Sequence, residues 1–159
     1  NRQYKRKTIM KNRIITDIML DLGFSLLNEK IWIRTKKVDL YRYGYSYVMS
    51  FGRKGFKSKR ASSFLEDVWE DKIDEKYSKY PYQFSVGLVK RCIENFTDEN
   101  DVVFDCFSGI MTTAVGCIET NRRYLMSEID LKTCAEGKTR VSIAEINKIK
   151  ELENINPPK

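Results

Sequence analysis

One stretch, residues 101–130 (DVVFDCFSGIMTTAVGCIETNRRYLMSEID), restricts the possible folds more than any other part of the chain. It reads as strand, tight glycine turn, helix and second strand, with an acidic residue closing each strand. Val102, Val103 and Phe104 form a short buried-strand run. Gly109 permits a sharp bend, and Thr112 to Thr120 carry small and apolar residues at helical spacing. Such a bend places backbone N–H groups and a helix N-terminus beside a ligand lying across the strand ends. Glu128 follows Asp105 at about the 20-residue interval at which an acidic side chain meets a ribose hydroxyl in nucleotide-type folds. Asp105 then faces the other end of the ligand. The alternative is a βαβ core element that binds nothing.

The flanking segments extend this pattern. Leu88, Val89, Cys92, Ile93 and Phe96 make a stripe that seats a helix on a sheet, and Pro81 stiffens its entry. Nearer the start, Ile9, Met10, Ile14, Ile15, Ile18, Met19 and Leu22 form an apolar helical face that ends at a C-capping Gly23. Phe24 to Arg34 and Tyr45 to Gly52 then read as two strands joined by a basic, tyrosine-rich connection. The last periodic stretch, Leu131 to Ile155, predicts a highly charged helix weakened by Gly137.

Several of these pieces resemble, in the same order, the S-adenosylmethionine-dependent DNA amino-methyltransferases with permuted motif order. Asp105, Cys106, Phe107, Ser108, Gly109, Ile110, Met111, Thr112 and Thr113 stand where that family carries Asp-Pro-Phe-x-Gly-x-Gly-Thr-Thr. Pro81, Gln83 and Phe84 match the segment His-Pro-x-Gln-Lys-Pro that precedes it. Lys30 to Arg34, then Tyr47, Val48, Phe51, Gly52 and Arg53, resemble its two N-terminal strands, and Asp67, Val68 and Trp69 its Asp-Val-Trp.

The resemblance implies an α/β fold, a Rossmann-like class I methyltransferase sheet with helices on both faces. It implies S-adenosylmethionine as cofactor, with Asp105, Phe107 and Gly109 at its amino-acid side, Glu128 at the ribose, Phe84 over it, and Thr112 as a further cofactor-binding residue. Two departures stand out. Cys106 replaces a proline, and Met111 replaces the second glycine, which sets a long side chain where backbone normally approaches the cofactor and implies a reshaped turn or weaker binding.

The resemblance further implies methyl transfer to an exocyclic amino group of adenine, or of cytosine, on a flipped base in double-stranded DNA. The family performs it with Asp, Asn or Ser followed by Pro-Pro and an aromatic. No such tetrapeptide occurs between Asn1 and Asn154, and Asn156, Pro157, Pro158 and Lys159 lack the aromatic. No catalytic residue can therefore be named. The expected sheet would lack its central strands, and is thus incomplete in this chain, calling for a homo-oligomer, a complementing methyltransferase subunit or an upstream segment. A catalytically inactive DNA-binding or partner subunit, and an RNA methyltransferase, remain as alternative readings.

Charge is unevenly spread. Residues 1–60 hold 16 Lys or Arg against 4 Asp or Glu, a balance of +12, whereas residues 61–159 hold 13 against 18, a balance of −5. Lys36, Lys37, Arg42, Arg53, Lys54, Lys57, Lys59 and Arg60, interleaved with Tyr41, Tyr43, Tyr45 and Phe56, form a candidate phosphate-neutralising patch. The alternative is a solvated basic face. At 159 residues the chain reads as one methyltransferase-like domain. Residues 1–60 would be its basic, DNA-facing part, 80–130 its cofactor unit and 131–159 its terminal helix and tail. Four widely spaced cysteines suit neither a zinc clip nor a disulfide framework and point to the reducing cytoplasm. No apolar run spans a bilayer, so no membrane association is expected. With no histidine, imidazole chemistry is excluded, and no metal site is expected.

Overall fold

The computed structural model describes residues 2–4, 7–35, 43–53, 55, 66–73, 75–77, 79–80 and 83–155. The chain divides into two compact units, Asn1–Lys72 and Ile73–Lys159.

The first unit opens with an antiparallel pair, β1 (Arg2–Tyr4) and β2 (Lys7–Ile9), which the periodicity does not reveal. Helix α1 (Lys11–Asp21) follows and ends as expected at Gly23, whose φ of 82° is the left-handed conformation that favours glycine and whose N–H donates to the Leu20 carbonyl. The face that α1 turns inward differs from the expected isoleucine stripe. Asn12, Thr16 and Met19 are half-buried, with the Thr16 hydroxyl 3.7 Å from Met49 Sδ, whereas Ile14, Ile15, Ile18 and Leu22 are exposed. The isoleucine stripe marks a helix, and the side it presents to its own sheet is not legible from periodicity.

Strand β3 (Phe24–Ile33) pairs antiparallel with β4 (Tyr45–Arg53), with a register irregularity between Leu26 and Asn28. On its other edge β3 takes a short parallel strand, β5 (Val68–Trp69). Here the Asp-Val-Trp sequence acquires a physical role. Trp32 and Trp69 are the largest fully buried side chains among the described residues of the unit; their indole N–H groups donate to the carbonyls of Asp71 and Glu66 at 2.9 and 2.8 Å. Beside them Lys30 Nζ, otherwise buried, lies 2.7 Å from Asp67 Oδ1. Paired in this way, a charge removed from water is neutralised rather than stranded.

The second unit holds a short 3-10 turn at Glu75–Tyr77, α2 (Val86–Phe96), β6 (Val102–Asp105), α3 (Thr112–Glu119), β7 (Arg123–Met126) and α4 (Leu131–Ile155). These are the strand, turn, helix, strand and flanking helices that the sequence predicts. β6 and β7 pair in parallel, Val102 opposite Arg123 through Asp105 opposite Met126. Pairing the two ends at Asp105 and Met126 sets the two following loops side by side.

Alternation along both strands puts Val103, Tyr124 and Met126 against the helices. Val89 and Ile93 of α2 meet Cys117 of α3 over Val103 and Tyr124; Met111, Ala114 and Val141 form a second cluster over Tyr124 and Met126. α2 and α3 can approach because Gly116 has no side chain: a Cβ there would lie 2.8 Å from Val89 Cγ1. Val102, Phe104 and Leu125 point the other way and are exposed. α4 runs over the expected span as a continuous helix through Gly137, whose presence is explained by packing below. No described helix is long and apolar enough to cross a membrane.

Candidate functional site

The loops after β6 and β7 build one braced turn. Asp105, the last residue of β6, accepts hydrogen bonds from the Phe107 N–H at 3.0 Å and from the Thr113 hydroxyl at 2.6 Å. Its carboxylate is thus aimed by the turn and by the first residues of α3. From the neighbouring strand end, Glu128 spans the turn: Oε2 accepts the Gly109 N–H at 2.7 Å and Oε1 accepts the Asp130 N–H at 2.9 Å. Ser108 stitches the same loops together, its N–H and hydroxyl both donating to the Ser127 carbonyl at 3.0 Å. Gly109 has φ of 52°, the left-handed bend for which the sequence supplies a glycine.

One expectation is corrected by this bracing. The sequence predicts an open row of N–H donors for a ligand, but those of Phe107, Ser108, Gly109 and Met111 are taken by Asp105, Ser127, Glu128 and Ser108. Of the backbone donors in this turn, those four are taken up by the bracing, and the side chains of Asp105 and Thr112 stand beside them.

A cavity of about 270 Å³ opens beside it, lined among others by Phe84, Asp105, Phe107, Gly109, Thr112 and Thr133. Five of the six predicted cofactor residues therefore converge. The sixth, Glu128, does not line this cavity and instead holds the turn that does. Phe84 and Phe107, both lining the cavity, are exposed, at 50% and 88%. Ser85, next in sequence to Phe84, caps α2, its hydroxyl accepting the Leu88 N–H at 3.0 Å.

Met111 also differs from expectation. Its backbone takes φ 58° and ψ 39°, the left-handed region a second glycine would occupy, and its side chain is only 6% exposed. The side chain packs with Ala114 and Val141 rather than at the cavity. The turn is kept in shape by directing the side chain into the core, against Gly137 of α4.

Sequence reasoning missed Arg140. Three residues after Gly137 and therefore on the same side of α4, it is buried, with Nη1 2.8 Å from Thr112 Oγ1 and 3.4 Å from the Ile110 carbonyl, and its guanidinium 4.1 Å from the centre of the Tyr77 ring. An arginine in a charge-rich helix reads as solvated, so no pattern singles it out. Gly137 was a usable signal, since glycine inside a helix often marks close packing.

Burial pushes the Cys117 thiol up to about 11, and burial together with the Glu145 carboxylate pushes the Tyr124 phenol up to about 12. The thiol is a core group, whereas the phenol belongs to a partly buried ring. Asp130 lies below the ordinary carboxylate range because the Thr133 side chain and N–H hydrogen-bond to it at the start of α4. Among the described residues no group of three or more His, Cys, Asp or Glu is placed to hold a metal ion.

Of the proposed DNA contacts only Arg53 lies among the described residues. It is exposed at the end of β4, with its guanidinium 5.7 Å from the centre of the Phe24 ring. Lys36, Lys37, Arg42, Lys54, Lys57, Lys59 and Arg60 lie outside the described residues, as does the Asn156 to Lys159 segment.

Residues 23–139 match the family model for N6/N4 DNA methylases. The chain belongs to that family. It is 27% identical over 130 residues to the YubD protein of Escherichia coli (strain K12), covering 77% of this chain and 54% of YubD. Among solved structures, TTHA0409 from Thermus thermophilus, complexed with S-adenosyl-L-methionine, superposes with a TM-score of 0.72 at 20% identity, covering 90% of this chain and 64% of that one. The cytosine-N4-specific PvuII DNA methyltransferase superposes with a TM-score of 0.73 at 14% identity, covering 94% and 66%. These likenesses establish the expected fold, Rossmann-like and of methyltransferase class I. The chain spans about half the length of YubD, its 54%.

Proposed function

We propose that the second unit binds S-adenosylmethionine in the cavity beside Asp105, as the cofactor part of a methyltransferase acting on an exocyclic amino group of adenine or cytosine in DNA. The observation that carries this reading is the convergence of Asp105, Phe84, Phe107 and Thr112 on one cavity at the ends of parallel strands, next to a glycine bend. A carboxylate suits the cofactor's ammonium group, exposed aromatic rings suit its sulfonium and nucleoside, and a hydroxyl suits its carboxylate. When bound, the cofactor supplies a methyl group activated by the positive sulfur.

The basic first 60 residues fit a DNA partner, since neutralising phosphates would dominate affinity and make it fall with salt. Family membership supports DNA over RNA. The Pro-Pro segment is supplied by polypeptide other than residues 1–154, in which the sequence has none.

Calorimetry with S-adenosylmethionine on the wild type, Asp105→Ala and Glu128→Ala tests the cofactor reading. Asp105→Ala should weaken binding through the lost contact, and Glu128→Ala through loss of the brace at Gly109. Unchanged binding in both would overturn it. Methyl incorporation into unmethylated duplex, read separately for adenine and cytosine, then tests the activity.

A further inference from the structure

We propose that Arg140 is a positioning residue that acts through Thr112 on the carboxylate of the bound cofactor; this rests on the cofactor reading above and adds a residue to it. Arg140 sits in the middle of α4 and is 6% exposed. Removing a guanidinium from water is costly unless its hydrogen bonds are replaced, and Nη1 makes two such contacts at the opening of α3. Nη1 points to Thr112 Oγ1 at 2.8 Å and to the Ile110 carbonyl at 3.4 Å. Both residues line the cavity that holds Asp105. The ring of Tyr77, 4.1 Å away, holds the guanidinium by its face.

A hydroxyl oxygen that accepts from a cation keeps its own proton to give, and the cation makes that proton a stronger donor. Among the described residues no acceptor takes the Thr112 proton. Thr112 is also the first residue of α3, where the helix end adds positive potential. An anionic acceptor in the cavity is the partner that satisfies all three features. S-adenosylmethionine has one anionic group, its carboxylate; adenine and ribose are neutral, and the sulfonium and ammonium are cations better matched to Asp105. Arg140 therefore fixes which end of the amino-acid moiety lies against α3 without touching it.

The test compares two nucleosides that differ in this group. S-adenosylhomocysteine carries the carboxylate, whereas 5′-methylthioadenosine lacks the whole amino-acid end. Both are titrated calorimetrically into the full chain as wild type, Arg140→Met, Thr112→Val and the double variant. Arg140→Met should weaken S-adenosylhomocysteine roughly tenfold, as for loss of a charge-assisted hydrogen bond, and leave 5′-methylthioadenosine within about twofold. Thr112→Val should do the same, and the double variant should lose no more than either single one. Arg140→Lys should restore part of the loss. Equal weakening of both nucleosides, or none of either, would make Arg140 a packing residue and overturn the proposal. If Arg140→Met does not fold, Thr112→Val and Thr112→Ser decide: Val selective and Ser harmless supports the relay, any other pattern removes it. Wild-type protein that binds neither nucleoside would sink the cofactor reading itself.

Discussion

Met111 of the glycine turn occupies the space that a side chain on Gly137 would need: a Cβ there would lie 2.8 Å from Met111 Cγ and 3.2 Å from the Gly109 carbonyl oxygen. The two positions answer each other. A methionine in place of the turn's second glycine must hide its side chain, and a glycine in α4 makes the room. Gly137→Ala should therefore destabilise the second unit by about 1–3 kcal/mol, as overpacking does, despite alanine's better helix propensity. Met111→Ala should relieve part of that loss when combined with it, although the carbonyl contact remains. Denaturant melts of the two single variants and the double one check this; additive losses would show the residues to be independent.

How far the sequence foretold the structure follows from what each signal reports. Val102 to Phe104, Gly109 and the α3 segment were legible because strand runs, sharp bends and helical spacing leave local patterns, and Asp105 was legible from its place at a strand end. Three features were not. The 3-10 turn at Tyr77, the buried Arg140 and the parallel strand at Val68–Trp69 arise from tertiary contacts among residues whose local sequence is ordinary. The inward face of α1 was illegible for a related reason, since isoleucine spacing announces a helix and does not choose its neighbour. Glu128 was legible as the acidic residue just past a strand end, yet its hydrogen bonds to Gly109 and Asp130 depend on backbone N–H directions that no spacing rule encodes.

Glu128 should matter to the turn before any ligand arrives. Its carboxylate accepts N–H groups from both loops, and Glu128→Ala leaves both donors without that acceptor. Hydrogen bonds to a charged group contribute roughly 1.5–3 kcal/mol each, and partial solvation lowers this, so a total loss of about 1–3 kcal/mol is expected. Glu128→Gln, which keeps one acceptor, should lose less. Amide hydrogen exchange at Gly109 gives the local reading: it should quicken in Glu128→Ala and stay slow in the wild type.

Stability should fall on the alkaline side in two overlapping steps. Cys117 and Tyr124 have native values raised from 9.0 to about 11 and from 10.0 to about 12, so the folded state keeps protons that the unfolded chain releases. Their contribution is fully present below the unfolded values and is lost as pH rises, from pH 9 to 11 for the thiol and from 10 to 12 for the phenol. Tyr124→Phe should cost little near neutrality, where it removes one exposed hydrogen bond to Glu145, and should flatten the limb above pH 10. Melting temperatures at stepped pH provide the check; an equally steep limb in Tyr124→Phe would remove this residue from the explanation.

Ser85 links the stability of α2 to the rim of the cavity. It is fully buried, and its hydroxyl accepts the Leu88 N–H that the helix itself cannot satisfy. Replacing it with alanine should cost about 1 kcal/mol, within a range of roughly 0.5–2 for lost caps. The residue just before the cap is Phe84, whose ring lines the cavity, so fraying at this end also loosens the ring. Ser85→Ala should therefore weaken binding of S-adenosylhomocysteine by a few fold. Ser85→Gly, which lets water or a shifted backbone serve the orphan N–H, should cost only a few tenths of a kcal/mol in stability. A substitution at the other end of α2, Thr97→Ala, removes a hydroxyl that donates to the Ile93 carbonyl and accepts from Arg122 Nε, and should leave binding unchanged. If both ends of α2 affect binding alike, the effect is global softening, and Phe84 is not held by its cap.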